Sequence, residues 1–98
     1  MSYPVYQLTL HPTYYNKGFF NLGVDVERYV RRDNGPCTIH LGDSGERLEG
    51  KVNRNANVNK TPRIHAGADL RNWIYKHFSE MDIVDVVIEA PDILRLKK

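Results

Sequence analysis

Ten positions in the middle of the chain, running from Arg54 to Arg63, hold Arg54, Asn55, Asn57, Asn59, Lys60 and Arg63 with no carboxylate among them. Lys51 and Asn53 stand just before them. Asparagine and arginine read base edges in the major groove through paired hydrogen bonds, asparagine to adenine and arginine to guanine, whereas lysine supplies point charge for phosphate. One such pair discriminates between bases by about 1–3 kcal/mol, so two or three define a short site. The competing explanation is a solvated hairpin tip in which asparagine fills turn positions. Four asparagines between Asn53 and Asn59 exceed what one turn requires. The segment is equipped for contact with double-stranded DNA, and Lys51, Asn53, Arg54, Asn55, Asn57, Asn59, Lys60 and Arg63 are the expected contacts.

A second set lies near the start of the chain. Tyr14, Tyr15, Asn16 and Lys17 combine aromatic, amide and cationic groups, a set common at nucleic-acid contacts. Asn16 and Lys17 are the expected contacts here. The two tyrosines are explained as readily by packing over a core.

Enzymatic readings are thinner. Glu49-Gly50-Lys51 has the form of half a nuclease site, in which two carboxylates hold Mg²⁺ and a lysine assists the attacking water, with Asp33 or Asp43 as the earlier carboxylate. Alternating charges on an exposed strand face give the same three residues. Ser44 lacks a nucleophile-elbow context and no glycine-rich phosphate loop occurs. His11, His40, His65 and His77, with Cys37 as the single cysteine, lack metal-ligand spacing. Cys37 and Trp73 read as core residues. No catalytic residue, metal or cofactor is assigned.

The 98 residues carry 14 Lys and Arg against 12 Asp and Glu, a formal net charge of +2. That total hides a segregation. There is no acid from Met1 to Val24 and none from Gly50 to Ala68, whereas Ser79 to Asp92 carries Glu80, Asp82, Asp85, Glu89 and Asp92 and no base. A polyanion meets local potential rather than total charge, and a barrel is expected to place the acidic run away from DNA. The same acidic run leaves a protein-interaction module as a further alternative to DNA binding. At 41% hydrophobic and 27% charged residues, the composition is that of one ordinary globular domain over residues 1–98. The lone cysteine fits a reducing compartment, no apolar run approaches the roughly 18 residues of a membrane span, and Met1-Ser2-Tyr3-Pro4 has no secretory pattern. A cytoplasmic protein is expected.

These groups must be positioned by short elements. Alternation from Val5 to His11 predicts a strand, and Pro12, Asn16 and Gly18 predict a loop from His11 to Gly18. A short strand over Gly18 to Leu22 and a short helix over residues 24 to 31 follow. Cys37 to Leu41 and Arg47 to Arg54 flank a turn and predict a hairpin, with Thr61 to His65 as a return strand. Leu70, Trp73, Ile74 and His77 at helical spacing predict a helix over Ala68 to Phe78. Ile83 to Glu89 alternates as a strand, and Ile93, Leu94 and Leu96 predict a final edge strand. The fold class is mainly β: a small open pseudobarrel of about seven mostly antiparallel strands with two short helices.

The order of these elements resembles a known family. Leu8-Thr9-Leu10, a polar loop, and Gly18-Phe19-Phe20-Asn21-Leu22 leading to a short helix resemble the opening of the B3-type DNA-binding pseudobarrel. Thr38 to Leu41, Arg47 to Arg54, Arg63-Ile64 before Gly67, Leu70 to Phe78 and Met81-Asp82-Ile83-Val84 resemble its later elements, so the likeness covers roughly residues 5 to 89. That family includes plant transcription-factor domains and the recognition or effector domains of bacterial type II restriction enzymes. The resemblance implies two arms gripping the major groove, Thr13 to Lys17 and Asn53 to Arg63 on this chain. It also implies a module without catalysis of its own, either standing alone or partnered by a nuclease domain or subunit. The asparagine-rich second arm departs from the Arg- and Trp-bearing strands of the plant members, so no base assignment carries over.

Overall fold

Alternating apolar residues become strand wherever the alternation is long enough to bury one face. In the computed structural model, which describes residues 3 to 97, the elements are β1 (Val5–Thr9), α1 (Pro12–Lys17), β2 (Phe19–Asn21), a 3-10 turn (Glu27–Tyr29), β3 (Gly35–Leu41), β4 (Glu46–Asn53), β5 (Arg63–His65), α2 (Gly67–His77), β6 (Ile83–Ala90) and β7 (Ile93–Lys97). Met1, Ser2 and Lys98, the ends of the expected 1–98 domain, lie outside the described residues. The strands form one sheet in the order β1-β6-β7-β3-β4-β5-β2, antiparallel except for the β3 and β7 pair, and the sheet makes an open half-barrel. This is the mainly β architecture with two short helices that the alternation predicts. Leu8, Phe20, Ile39, Ile64, Val86 and Leu94 fill its inside, and Leu70 and Ile74 of α2 join the same core. Among the described residues no helix is long and apolar enough to cross a membrane.

Three local expectations are corrected. The segment after β1 is a helix rather than a loop. Pro12 sits in its first turn, where a missing N–H leaves no bond unmade, and the Tyr15 N–H donates to the His11 carbonyl at 2.9 Å. Gly18 ends it in the left-handed region at φ +73°, and a side chain there would overlap the Gly67 carbonyl. The Gly18 carbonyl accepts the Ala66 and Gly67 N–H groups at 3.1 Å each, fastening α1 to the start of α2.

The helix expected over residues 24 to 31 contracts to the 3-10 turn. Val24 is exposed and only Val26 and Val30 reach the core, too little apolar contact to hold further turns. The third correction concerns β7, which is interior rather than an edge. The turn at Pro91 and Asp92 folds it onto β6, and it then pairs in parallel with β3. Arg95 and Lys97 give it the polar alternation of an edge, yet Arg95 is satisfied by Glu89 at 2.9 Å and by the Gly42 carbonyl. Cys37 on β3 is a core residue as expected. Burial, reinforced by the Asp92 and Glu49 carboxylates, pushes its thiol up to about 11, so it is not a nucleophile at neutral pH.

Candidate nucleic-acid interface

β4, β5 and β2 lie side by side, and their registers set the outward side chains in two rows. Lys51 opposes His65, which opposes Phe19; Asn53 opposes Arg63, which opposes Asn21. Between these rows Val52, Ile64 and Phe20 are buried, as strict alternation requires.

The second row is tied to both loops. Arg63 Nε donates to Asn21 Oδ1 at 2.9 Å and its Nη2 donates to Asn57 Oδ1 at 3.2 Å. The Asn57 amide donates to Asn21 Oδ1 at 3.0 Å and to the Thr61 carbonyl at 3.1 Å. The Asn21 amide in turn donates to the Tyr14 hydroxyl of α1 at 2.9 Å. The Arg63 guanidinium lies 4.6 Å over the Phe19 ring, and Tyr14 meets that ring edge-on at 5.9 Å. Thus α1, β2, β5 and the β4–β5 loop share one half-buried cluster. Arg63 Nη1 has no hydrogen-bond partner among the described residues and is the free edge of this guanidinium.

Arg54 is not in that set, which corrects the expectation drawn for it. It is buried, and its five N–H groups meet five oxygens: the Glu27 carboxylate at 2.7 Å and the carbonyls of Glu27, Val30, Arg31 and Lys60 at 2.7, 2.8, 2.8 and 3.2 Å. A guanidinium so saturated has no donor left for a base. Its role is to fasten the start of the β4–β5 loop to the turn at Glu27–Tyr29.

The remaining expected contacts divide in two. Asn57 is spent inside the cluster, and Asn16 donates to the Pro12 carbonyl at 2.7 Å while accepting the Tyr75 hydroxyl at 2.8 Å, so it holds α1 on α2. Asn53 Oδ1 accepts the Asn55 N–H at 2.8 Å, shaping the loop's first turn. Asn59 Oδ1 accepts the Thr61 hydroxyl at 2.8 Å and leaves its amide N–H groups unbonded among the described residues. Lys17, Lys51, Asn55, Asn59 and Lys60 are exposed, and Lys60 takes a left-handed turn conformation at φ +63°. The outward set is therefore these five and the free edge of Arg63.

Tyr14, Phe19, Asn21 and His65 belong to the face and were not among the expected contacts. Phe19 and Asn21 share one phase of Gly18-Phe19-Phe20-Asn21-Leu22, which is the signal that marks them. Tyr15 packs on the core against Tyr75, at 4.7 Å between rings. His65 Nε2 is buried with no hydrogen-bond partner among the described residues, and burial together with the nearby Arg63 lowers its pKa, favouring the neutral ring.

Within the acidic run, Asp85 and Glu89 share the outward phase of β6. Leu10 donates to the Asp82 carbonyl at 2.9 Å and accepts the Met81 N–H at 2.8 Å, which sets Asp82 beside the start of α1. Asp82 caps the Ser79 N–H at 2.8 Å and Glu89 is paired with Arg95. Glu49 and Lys51 share the exposed phase of β4, whereas Asp43 lies in the β3–β4 turn, 3.7 Å from Arg95 and 3.9 Å from Lys97. No group of three His, Cys, Asp or Glu among the described residues could hold a metal ion. In comparisons with known proteins, no family model matches the chain and no curated protein matches it.

Proposed function

We propose that this chain binds double-stranded DNA with sequence specificity, as a B3-like pseudobarrel module that stands alone or serves as the recognition part of a restriction enzyme. The observation that carries the reading is the Tyr14, Asn21, Asn57 and Arg63 cluster, which joins the two acid-free segments on one face of the sheet. A guanidinium held on one edge by two amides and from behind by a ring has little freedom left to lose on binding. Its open edge suits guanine O6 and N7, while Asn55 and Asn59 offer amides to neighbouring bases. Lys17, Lys51 and Lys60 contact phosphate and set register without reading sequence.

The face carries no catalytic step in this reading. Selection from a randomised duplex pool tests it, because it measures binding and preference together. A short enriched motif is the expected result. A pool that emerges unenriched at low salt contradicts the proposal. Cleavage of the bound duplex on addition of Mg²⁺, abolished by Lys51→Ala, would put the Glu49 and Lys51 nuclease reading first instead.

A further inference from the structure

At the tip of the β4–β5 loop, between Asn57 and Asn59, Val58 stands at 102% exposure, the highest of the exposed large apolar residues among those described. A single exposed valine ordinarily calls for no explanation. What distinguishes this one is its mounting. The Asn57 carbonyl accepts the Lys60 N–H at 3.1 Å, closing the turn that contains Val58. On one side, the Asn57 side chain is held by Asn21, Thr61 and Arg63; on the other, Asn59 Oδ1 is held by Thr61, and the Lys60 carbonyl accepts from buried Arg54. A β-branched side chain, already stiff about χ1, is thus presented outward from a backbone fixed on both flanks. Of its exposed neighbours, Asn55, Asn59 and Lys60 are polar or cationic, and Ala56 carries only a methyl group.

This inference rests on the DNA-binding reading and names one determinant of specificity within it. The major groove carries a single apolar landmark, the C5-methyl group of thymine. We propose that Val58 reads that methyl group, selecting thymine at one position beside the base contacted by Arg63. Covering one methyl group corresponds to roughly a fourfold gain in affinity.

Uracil tests this cleanly, because it keeps the pairing and the O4 acceptor of thymine and removes only the methyl. In a duplex chosen by selection, each thymine is replaced by uracil in turn, and binding is measured for the whole chain and for Val58→Ala and Val58→Ile. The expected result is one position at which uracil weakens binding about fourfold, with the penalty absent in Val58→Ala and kept in Val58→Ile. Val58 has no core contact to lose, so neither variant confuses folding with recognition. Equal binding of every uracil duplex, or a uracil penalty that persists in Val58→Ala, overturns the inference while leaving duplex binding intact. A chain that binds no duplex fails at the earlier step, and the methyl contact falls with it.

Discussion

Arg54 Nη1 lies 2.7 Å from Glu27 Oε2, an ion pair that joins residues 27 positions apart and ties the β4–β5 loop to the turn before β3. The Arg54 side chain is 11% exposed and that of Glu27 is 40% exposed. The arginine is therefore the costly partner to remove, because four carbonyls lose their donor with it, whereas loss of the Glu27 carboxylate leaves those four bonds in place.

Arg54→Ala should lower the unfolding free energy by about 3 kcal/mol, at the low end for a broken buried pair because Glu27 keeps contact with water. Glu27→Gln should lower it by roughly 1 kcal/mol or less, since the four carbonyl bonds survive. Urea melts of the two variants measure this. Equal losses would show that the ion pair, rather than burial of the guanidinium, carries the energy.

Asn21→Ala removes the acceptor shared by Arg63 and Asn57 and the donor to Tyr14. The expected loss of stability is about 1 kcal/mol, with a broadened base preference because Asn21 holds Arg63 in its pose. Competition between selected and scrambled duplexes reads the second effect. Unchanged discrimination in this variant would mean that Arg63 does not depend on the cluster for its placement.

His65 gives the fold a pH dependence whose sign is fixed. Burial, with Arg63, lowers its pKa below the ordinary 6.5, so the unfolded chain takes up this proton more readily than the folded one. Its contribution to stability is present above 6.5 and is lost as pH falls through the folded pKa. Thermal melts at about pH 7.5 and 5.5 should therefore show a larger drop for the native chain than for His65→Gln. A drop of the same size in both would assign the acid sensitivity to other groups.

Sequence pattern reached the architecture because alternation and helical spacing are local properties. Leu70 and Ile74 predict α2, and Val84, Val86 and Ile88 predict β6, with no knowledge of what lies opposite. Where residues act through distant partners, pattern fails. Arg54 stands in an acid-free run and looks like a reader of DNA, yet its acid is Glu27 and its carbonyls come from residues 27 to 31 and 60. Asn21 stands in a strand and looks structural, yet it organises the face. The five-residue alternation of β7 says nothing of its parallel pairing with β3, which depends on how the Pro91 turn directs the chain.

The proposed division between charge and base reading is tested most directly by the salt dependence of duplex binding, measured for the native chain and for a variant with Lys17, Lys51 and Lys60 all changed to alanine. If these lysines neutralise three phosphates, the slope of log affinity against log salt should flatten by about 2.7 in the variant, with the preferred sequence retained. A native slope near zero, or slopes equal in the two proteins, would contradict the placement of DNA on this face.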